Sequence, residues 1–346
     1  MRATVYWLVS LALIAGCRSS EVTGPATSLL EFQNHLEQLK IDGHVHSISV
    51  VIAKDQAVAW SYTTGDGPAA LTGTAVFHLA SLTKPLAATV ILQLVDEGKV
   101  SLDDPVSKYG IVMPNATTVL VRHLMSHTSA GIPGAGFAYD GNRFSLLDSV
   151  ITRATGKSVA VAIQERIVTP LGLRHTAPTP HSTAFAASGL DRNVYLASLA
   201  PGYRWSGNGF VATAYETFFN SASGMTASAM DYAAFSMAMD RDMFLTPATK
   251  ARAYTPAVGS NGGTLPYGLG WFVSDYKGVR VIWHYGLWTA SSALVIKVPS
   301  LALTFVLLAN TDGLSAPYAL GAGRLEESPW AREFLETFAI ARLPLP

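Results

Sequence analysis

The sequence predicts an α+β fold in which an antiparallel sheet is flanked by N- and C-terminal helices and interrupted by an inserted helical region. Three observations predict it. β-rich runs gather near residues 46–62 and 267–310, helical patterns bracket them at 28–43 and 329–341, and the long stretch from Ser81 to Thr255 reads as helices and loops. A sheet assembled from both chain ends leaves a cleft where the inserted region meets it, and ligand sites commonly lie in such clefts.

Each element has a local reason. Ser28-Leu29-Leu30-Glu31 has the form of a capping box, and Leu29, Phe32, Leu36 and Leu39 follow at helical spacing up to Gly43. "HSISVVIAKDQAVAWSY" then gives two strands turning at Lys54-Asp55-Gln56, a hairpin. Near the other end "YGLGWFVSDYKGVRVIWHYG", "SSALVIKV" and "LALTFVLLAN" read as three strands or four, joined at Tyr276-Lys277-Gly278 and Pro299-Ser300. Ser328-Pro329 opens a last helix through "WAREFLETFAIA", with proline at the first helical position, where a missing N–H does no harm.

The first residues stand apart. "MRATVYWLVSLALIAGC" carries Arg2, an apolar run and then Ala15-Gly16-Cys17, the layout of a secretory signal. The run is shorter than the roughly 20 residues a membrane-spanning helix needs. Ile14-Ala15-Gly16-Cys17 also resembles the bacterial lipobox, and Cys17 is the only cysteine of the chain, which rules out an internal disulfide. The expectation is a lipoprotein signal over 1–17 with Cys17 lipidated, a tether over 18–27, and one domain over 28–346. Within that domain the α/β part is expected at about 28–80 and 256–346, and the helical part at about 81–255. The protein would then be secreted across the inner membrane and held in the periplasm by its anchor.

Bulk composition narrows the partners. Across 346 residues, 24 Lys and Arg balance 24 Asp and Glu, so nothing in the charge points to nucleic acid. Hydrophobic residues make up 49% of the chain and charged ones 14%, which suits a protein with a large core.

One stretch demands chemistry. "FHLASLTKPLAATV", Phe77 to Val90, reads as a buried helix, yet it carries Lys84 one turn past Ser81. Residues three apart share a helical face, so Ser81 Oγ and Lys84 Nζ can meet. An amine among apolar neighbours loses proton affinity and can accept the serine proton, while the free N–H groups of a helix start suit an oxyanion. S-x-x-K by itself is common, and a capping serine followed by a surface lysine is the competing interpretation.

The surrounding segments carry more. "FHLASLTKPLAATVILQLVDEGKVSLDDPVSKYG", "VRHLMSHTSAGIP", "GKSVAVAIQERIVTPLGLRHT" and "YGLGWFV" resemble the serine β-lactamase and penicillin-binding protein superfamily, in its class C β-lactamase-like branch. That resemblance implies a β-lactamase/transpeptidase-like fold, Ser81 as acylated nucleophile and Lys84 as its proton acceptor. It also implies Tyr139 as a proton shuttle, a role suited to a phenol of lowered pKa. Where the family has Y-x-N this chain has Tyr139-Asp140-Gly141, so the amide-binding asparagine is missing and Asn142 next door is the candidate replacement. Where the family has K-T-G it has His284-Tyr285-Gly286. By the same resemblance His284 would face substrate with a charge that titrates near neutrality, Gly286 would let substrate lie on the strand edge, and the Leu287 N–H would be the second oxyanion donor.

Two other signals compete poorly. His44 and His46 in "IDGHVHS" match the opening of metal-dependent amidohydrolase barrels, but the required eightfold repeat does not follow. His123 and His127 have zincin spacing without the glutamate of H-E-x-x-H, and are expected to end a helix. The reading is therefore a serine hydrolase with no metal or organic cofactor, acting on a small-molecule or peptide-like acyl substrate. An esterase or amidase ranks above a D-Ala-D-Ala carboxypeptidase, and that above a true β-lactamase; a non-catalytic relative is the non-enzyme alternative. Oligomeric state is left open.

Overall fold

The computed structural model describes residues 24–66 and 71–346; the signal segment, Cys17 and the tether up to residue 23 lie outside the described residues. The chain opens with α1 (Leu29–Asp42), whose N-cap Ser28 accepts from the Glu31 N–H. The reciprocal arm of the expected capping box goes elsewhere: Glu31 Oε2 accepts from the Thr27 N–H at 2.7 Å and the Thr27 hydroxyl at 2.6 Å. Strands β1 (Ser47–Lys54) and β2 (Ala57–Gly65) form the expected hairpin, its turn made by Asp55 and Gln56 at φ 51° and 69°.

The main sheet gathers these with β8 (Phe272–Tyr276), β9 (Val279–Trp288), β10 (Ser291–Val298) and β11 (Leu303–Ala309), in the order β2-β1-β11-β10-β9-β8 and antiparallel throughout. Both faces are covered, so alternate residues of one strand enter two different cores. Along β10, Ala293 and Val295 join the cluster beneath the inserted region, while Leu294 and Ile296 join the one beneath the terminal helices. The latter cluster contains Phe32 and Leu36 of α1 together with Trp330 and Phe334 of the last α-helix, Pro329–Phe334, which is capped by Ser328 as expected.

Between β2 and β8 the chain is helical in the main, but the expectation of little β structure there needs correcting. β3 (Val76–His78), β7 (Met225–Ser228) and β4 (Thr176–Pro178) form a small sheet in the order β3-β7-β4, and β5 (Tyr203–Trp205) pairs with β6 (Phe210–Ala212). These strands are only three or four residues long, too short for a period of two to show in the sequence. α2 (Thr83–Asp96) runs through the middle of this region and is buried nearly all round, with Leu86, Val90 and Ile91 each at 1% exposure or less. α5 (Leu147–Thr155) packs against it, and α3 (Val121–Met125) and α4 (Gly141–Ser145) pack on α5. No helix among the described residues is long and apolar enough to cross a membrane.

Candidate functional site

The site forms where the start of α2 meets β9. β3 ends at His78; Leu79 donates its N–H to the Met225 carbonyl of β7, and Ala80 then turns through φ 44° into the single 3-10 turn Ala80–Leu82 that carries Ser81. A left-handed alanine costs of order 1 kcal/mol or more, and the turn is pinned accordingly. The Thr83 hydroxyl donates to Ala80 O at 2.8 Å, accepts from the Met225 N–H at 3.0 Å, and Tyr232 Oη donates to Leu82 O at 3.1 Å. Ser81 therefore sits just ahead of α2, one step outside the regular helix.

Lys84 reaches back as its spacing predicts. Its Nζ lies 2.8 Å from Ser81 Oγ and donates to Ala222 O at 3.1 Å, with the residue 1% exposed. Burial pushes the amine down to about 7, against the upward pull of the Glu216 and Asp140 carboxyls. Ser81 itself is half-buried, whereas Lys84 behind it is almost fully buried.

Tyr139 lies over Lys84, with Nζ 5.0 Å from the ring centroid. Its hydroxyl is fully buried without a hydrogen-bond partner among the described residues. Burial raises this phenol well above its usual value, with Tyr285 adding to the rise and Ser81 opposing it. The expected lowered pKa is thus corrected: Tyr139 rests as a neutral phenol, because desolvation of a phenolate outweighs the help of its neighbours.

The β9 residues sit differently from expectation. β8 stops at the Phe272–Trp283 pair, so β9 runs on from His284 to Trp288 with no strand among the described residues on that side. His284 is fully buried, and both of its ring nitrogens are used inside the protein. Nδ1 lies 2.7 Å from Tyr285 O, which can only accept, so Nδ1 carries the proton and Nε2 accepts from Tyr267 Oη at 2.8 Å. Burial, then the Lys84 charge, hold the ring well below its usual pKa. The expectation of a titrating histidine facing substrate is therefore corrected to a neutral ring that orders the tyrosines around it.

Gly286 also changes its meaning. A Cβ there would lie 2.2 Å from Leu79 O and 3.3 Å from Ala293 Cβ. The missing side chain lets β9 close against the turn that carries Ser81, and the expectation of a surface cleared for substrate is corrected. This contact brings Leu287, half-buried, beside the serine turn. Tyr285, in the place of a threonine, turns its hydroxyl toward Gly321, where a Cβ would be 2.8 Å away.

Gly141 does occupy the position beside the lysine, since a Cβ on it would meet only Lys84 Nζ, at 3.9 Å. Asn142 follows it directly. That residue is exposed in the first turn of α4, its N–H bonded to the Asp140 cap at 2.8 Å. His44 and His46 stack on Trp205 and Tyr203, with ring centroids 4.2 and 3.8 Å apart, and so fasten the β5–β6 hairpin to the N-terminal segment.

Two site residues escaped the sequence reading. His127 does not end a helix in the dipole-favoured position; α3 stops at Met125, and His127 at φ 55° turns its ring onto Tyr139, centroid to centroid 4.3 Å. Its Nδ1 accepts from the Asp140 N–H at 3.1 Å, and burial holds it neutral. His123, the other member of that pair, accepts from the Leu120 N–H at the start of α3. Glu216 is 7% exposed, with Oε1 accepting at 2.8 Å from the hydroxyl of Ser223, the residue after the Ala222 that binds Lys84, and its charge acts on that amine. Its one sequence signal is being the only acid between Asp191 and Asp231.

Known proteins resemble this chain in sequence and in fold. The chain is 25% identical over 285 residues to penicillin-binding protein 4* of Bacillus subtilis (strain 168), covering 68% of this chain and 61% of that protein. It is 30% identical over 143 residues to the D-alanyl-D-alanine-carboxypeptidase/endopeptidase AmpH of Escherichia coli (strain K12), covering 30% of this chain and 37% of that one. The chain thus spans less than two thirds of the length of either relative. Among solved structures, the octameric penicillin-binding protein homologue from Pyrococcus abyssi superposes with a TM-score of 0.75 at 20% identity, over 91% of this chain and 80% of that one, a likeness of fold. The profile of the Beta-lactamase family matches residues 32–327, and the chain belongs to that family.

Proposed function

We propose that the chain is a serine hydrolase that works through an acyl-enzyme on Ser81. The observation that carries this reading is the 2.8 Å contact between Ser81 Oγ and an almost fully buried Lys84 amine. Lys84, neutral for much of its time near pH 7, takes the Ser81 proton as Oγ bonds to the acyl carbon. The N–H groups of Ser81 and Leu287 receive the oxyanion. The leaving group departs with a proton passed by way of the neutral Tyr139 phenol, and water then releases the acyl group from Ser81 by the reverse relay.

Esters and simple amides suit this site best. With His284 neutral and internally bonded, Tyr285 turned toward Gly321, and no side chain at Gly141, the residues that would grip a carboxylate or a side-chain amide are missing. The peptidase reading ranks next, on the names of the relatives alone. Intact mass after incubation with p-nitrophenyl butyrate and with a fluorescent penicillin tests both. An acyl adduct is expected on the wild type, and none on Ser81→Ala or at a measurable rate on Lys84→Ala; Ser81→Ala that still turns over ester would sink the mechanism. We further propose secretion and lipidation at Cys17, supported by the lipobox-like Ile14-Ala15-Gly16-Cys17. Cys17→Ser that still takes up labelled palmitate would refute it.

A further inference from the structure

Lys84 must become an ammonium when it takes the Ser81 proton, inside a wall that leaves it 1% exposed. An uncompensated buried cation is strongly disfavoured, so the groups facing it decide whether the step is feasible. From its own turn comes the Ser81 hydroxyl; from the segment before α4 come Tyr139 and Asp140; from beyond α3, His127; from β9, His284; from the loop between β6 and β7, Glu216. Burial keeps both histidines and the phenol neutral. Asp140 is partly exposed and already caps α4 by accepting from the Asn142 and Arg143 N–H groups, so solvent and its own bonds weaken its reach.

Glu216 is different. Its Oε2 is buried and without a partner among the described residues, while Oε1 accepts from the Ser223 hydroxyl. Ser223 directly follows Ala222, whose carbonyl accepts from Lys84 Nζ, so one short stretch of loop fixes both the amine and the carboxyl. Burial raises the Glu216 carboxyl to about 7, while the Ser223 hydrogen bond and then the Lys84 charge draw it back down.

We propose that Glu216 is a positioning residue that supplies the compensating negative charge for the Lys84 ammonium formed as Ser81 is deprotonated. It rests on Lys84 being the base, as argued above. The proton moves from Ser81 Oγ to Lys84 Nζ while the Oγ–acyl bond forms, and the carboxylate exchanges no atom; it stabilises the charge that appears.

The test is the pH dependence of kcat/KM for p-nitrophenyl butyrate, measured on the full chain. Removing the negative charge with Glu216→Gln lowers the proton affinity of Lys84, so the acid limb should move down by about one pH unit, a tenfold change in that affinity. The plateau should fall about threefold to tenfold, because a weaker base drives the step less. Glu216→Asp keeps the charge and should leave the limb near its wild-type position. Ser223→Ala removes a hydrogen bond that favours the carboxylate, so Glu216 holds its proton to higher pH and the limb should move the same way as in Glu216→Gln. A Glu216→Gln limb that stays in place, or a Glu216→Asp limb that moves with it, overturns the proposal. Should Glu216→Gln not fold, an unmoved limb in Ser223→Ala does the same. Lys84→Ala keeps the two readings apart. Wild-type acylation there refutes the lysine as base, whereas loss of acylation with an unmoved Glu216→Gln limb refutes only the role of Glu216.

Discussion

Gly286→Ala tests the closest approach in the site. The added Cβ would fall 2.2 Å from Leu79 O, and ordinary contact begins near 3.4 Å, so β9 and the Ser81 turn must part by about 1 Å. Neither side yields cheaply. Leu79 is held by its N–H bond to Met225 O, and β9 is held by its ladder to β10. Overpacking of this kind costs about 1–3 kcal/mol of stability. The effect on chemistry is larger, because the same motion separates Leu287 from Ser81, and a misplacement of about 1 Å can cost of order a hundredfold in rate. The assay is acylation by p-nitrophenyl butyrate followed by intact mass, beside a urea melt. A variant that folds with a loss of about 1–3 kcal/mol and acylates about a hundredfold more slowly fits the reasoning. A variant acylated at the wild-type rate would show that the packing of Gly286 on Leu79 does not set the geometry of the site.

Other perturbations test separate links. His78 is 1% exposed and burial lowers its pKa to about 3, so its neutral form is required by the fold. A depressed folded pKa gives stability that is full above the unfolded value of about 6.5 and is lost as pH falls below it, about 2 kcal/mol by pH 5. Urea melts at pH 7 and pH 5 should therefore show wild type losing about 2 kcal/mol more than His78→Gln; equal losses would mean that the ring is not held neutral. Gly141→Asn should fit, since only Lys84 Nζ lies within 4 Å of its Cβ, and it restores an amide beside the lysine. Acylation by benzylpenicillin is expected to rise about tenfold, the worth of one hydrogen bond of about 1.4 kcal/mol, with the butyrate ester little changed; a penicillin rate that does not rise would show that Gly141 is not what limits amide recognition.

Much of this protein is legible locally. α1, the β1–β2 hairpin, the late meander and the Ser328 cap follow from spacing, turns and caps, because each depends on residues a few positions apart. The Ser81–Lys84 contact is legible in the same way: a spacing of three lets the two groups meet, although distant residues hold the turn that carries Ser81. The short strands of the small sheet escaped because three residues carry no period, and they exist through pairing with partners far along the chain.

Only the tertiary structure decided what those groups mean chemically. The proton affinity of Lys84 is set by burial and by Glu216, which lies 132 positions away in sequence. The same holds for Gly286, whose reason is the Leu79 carbonyl, and for His284, which is silenced by Tyr267 and Tyr285 O. The sequence by itself determined the fold class, through the periods, caps and turns of its elements, and the spacing that lets Ser81 and the Lys84 amine meet. Charge state, the approach of β9 to the Ser81 turn and the open space beside Gly141 depend on desolvation and close approach between distant segments, which only the folded chain creates.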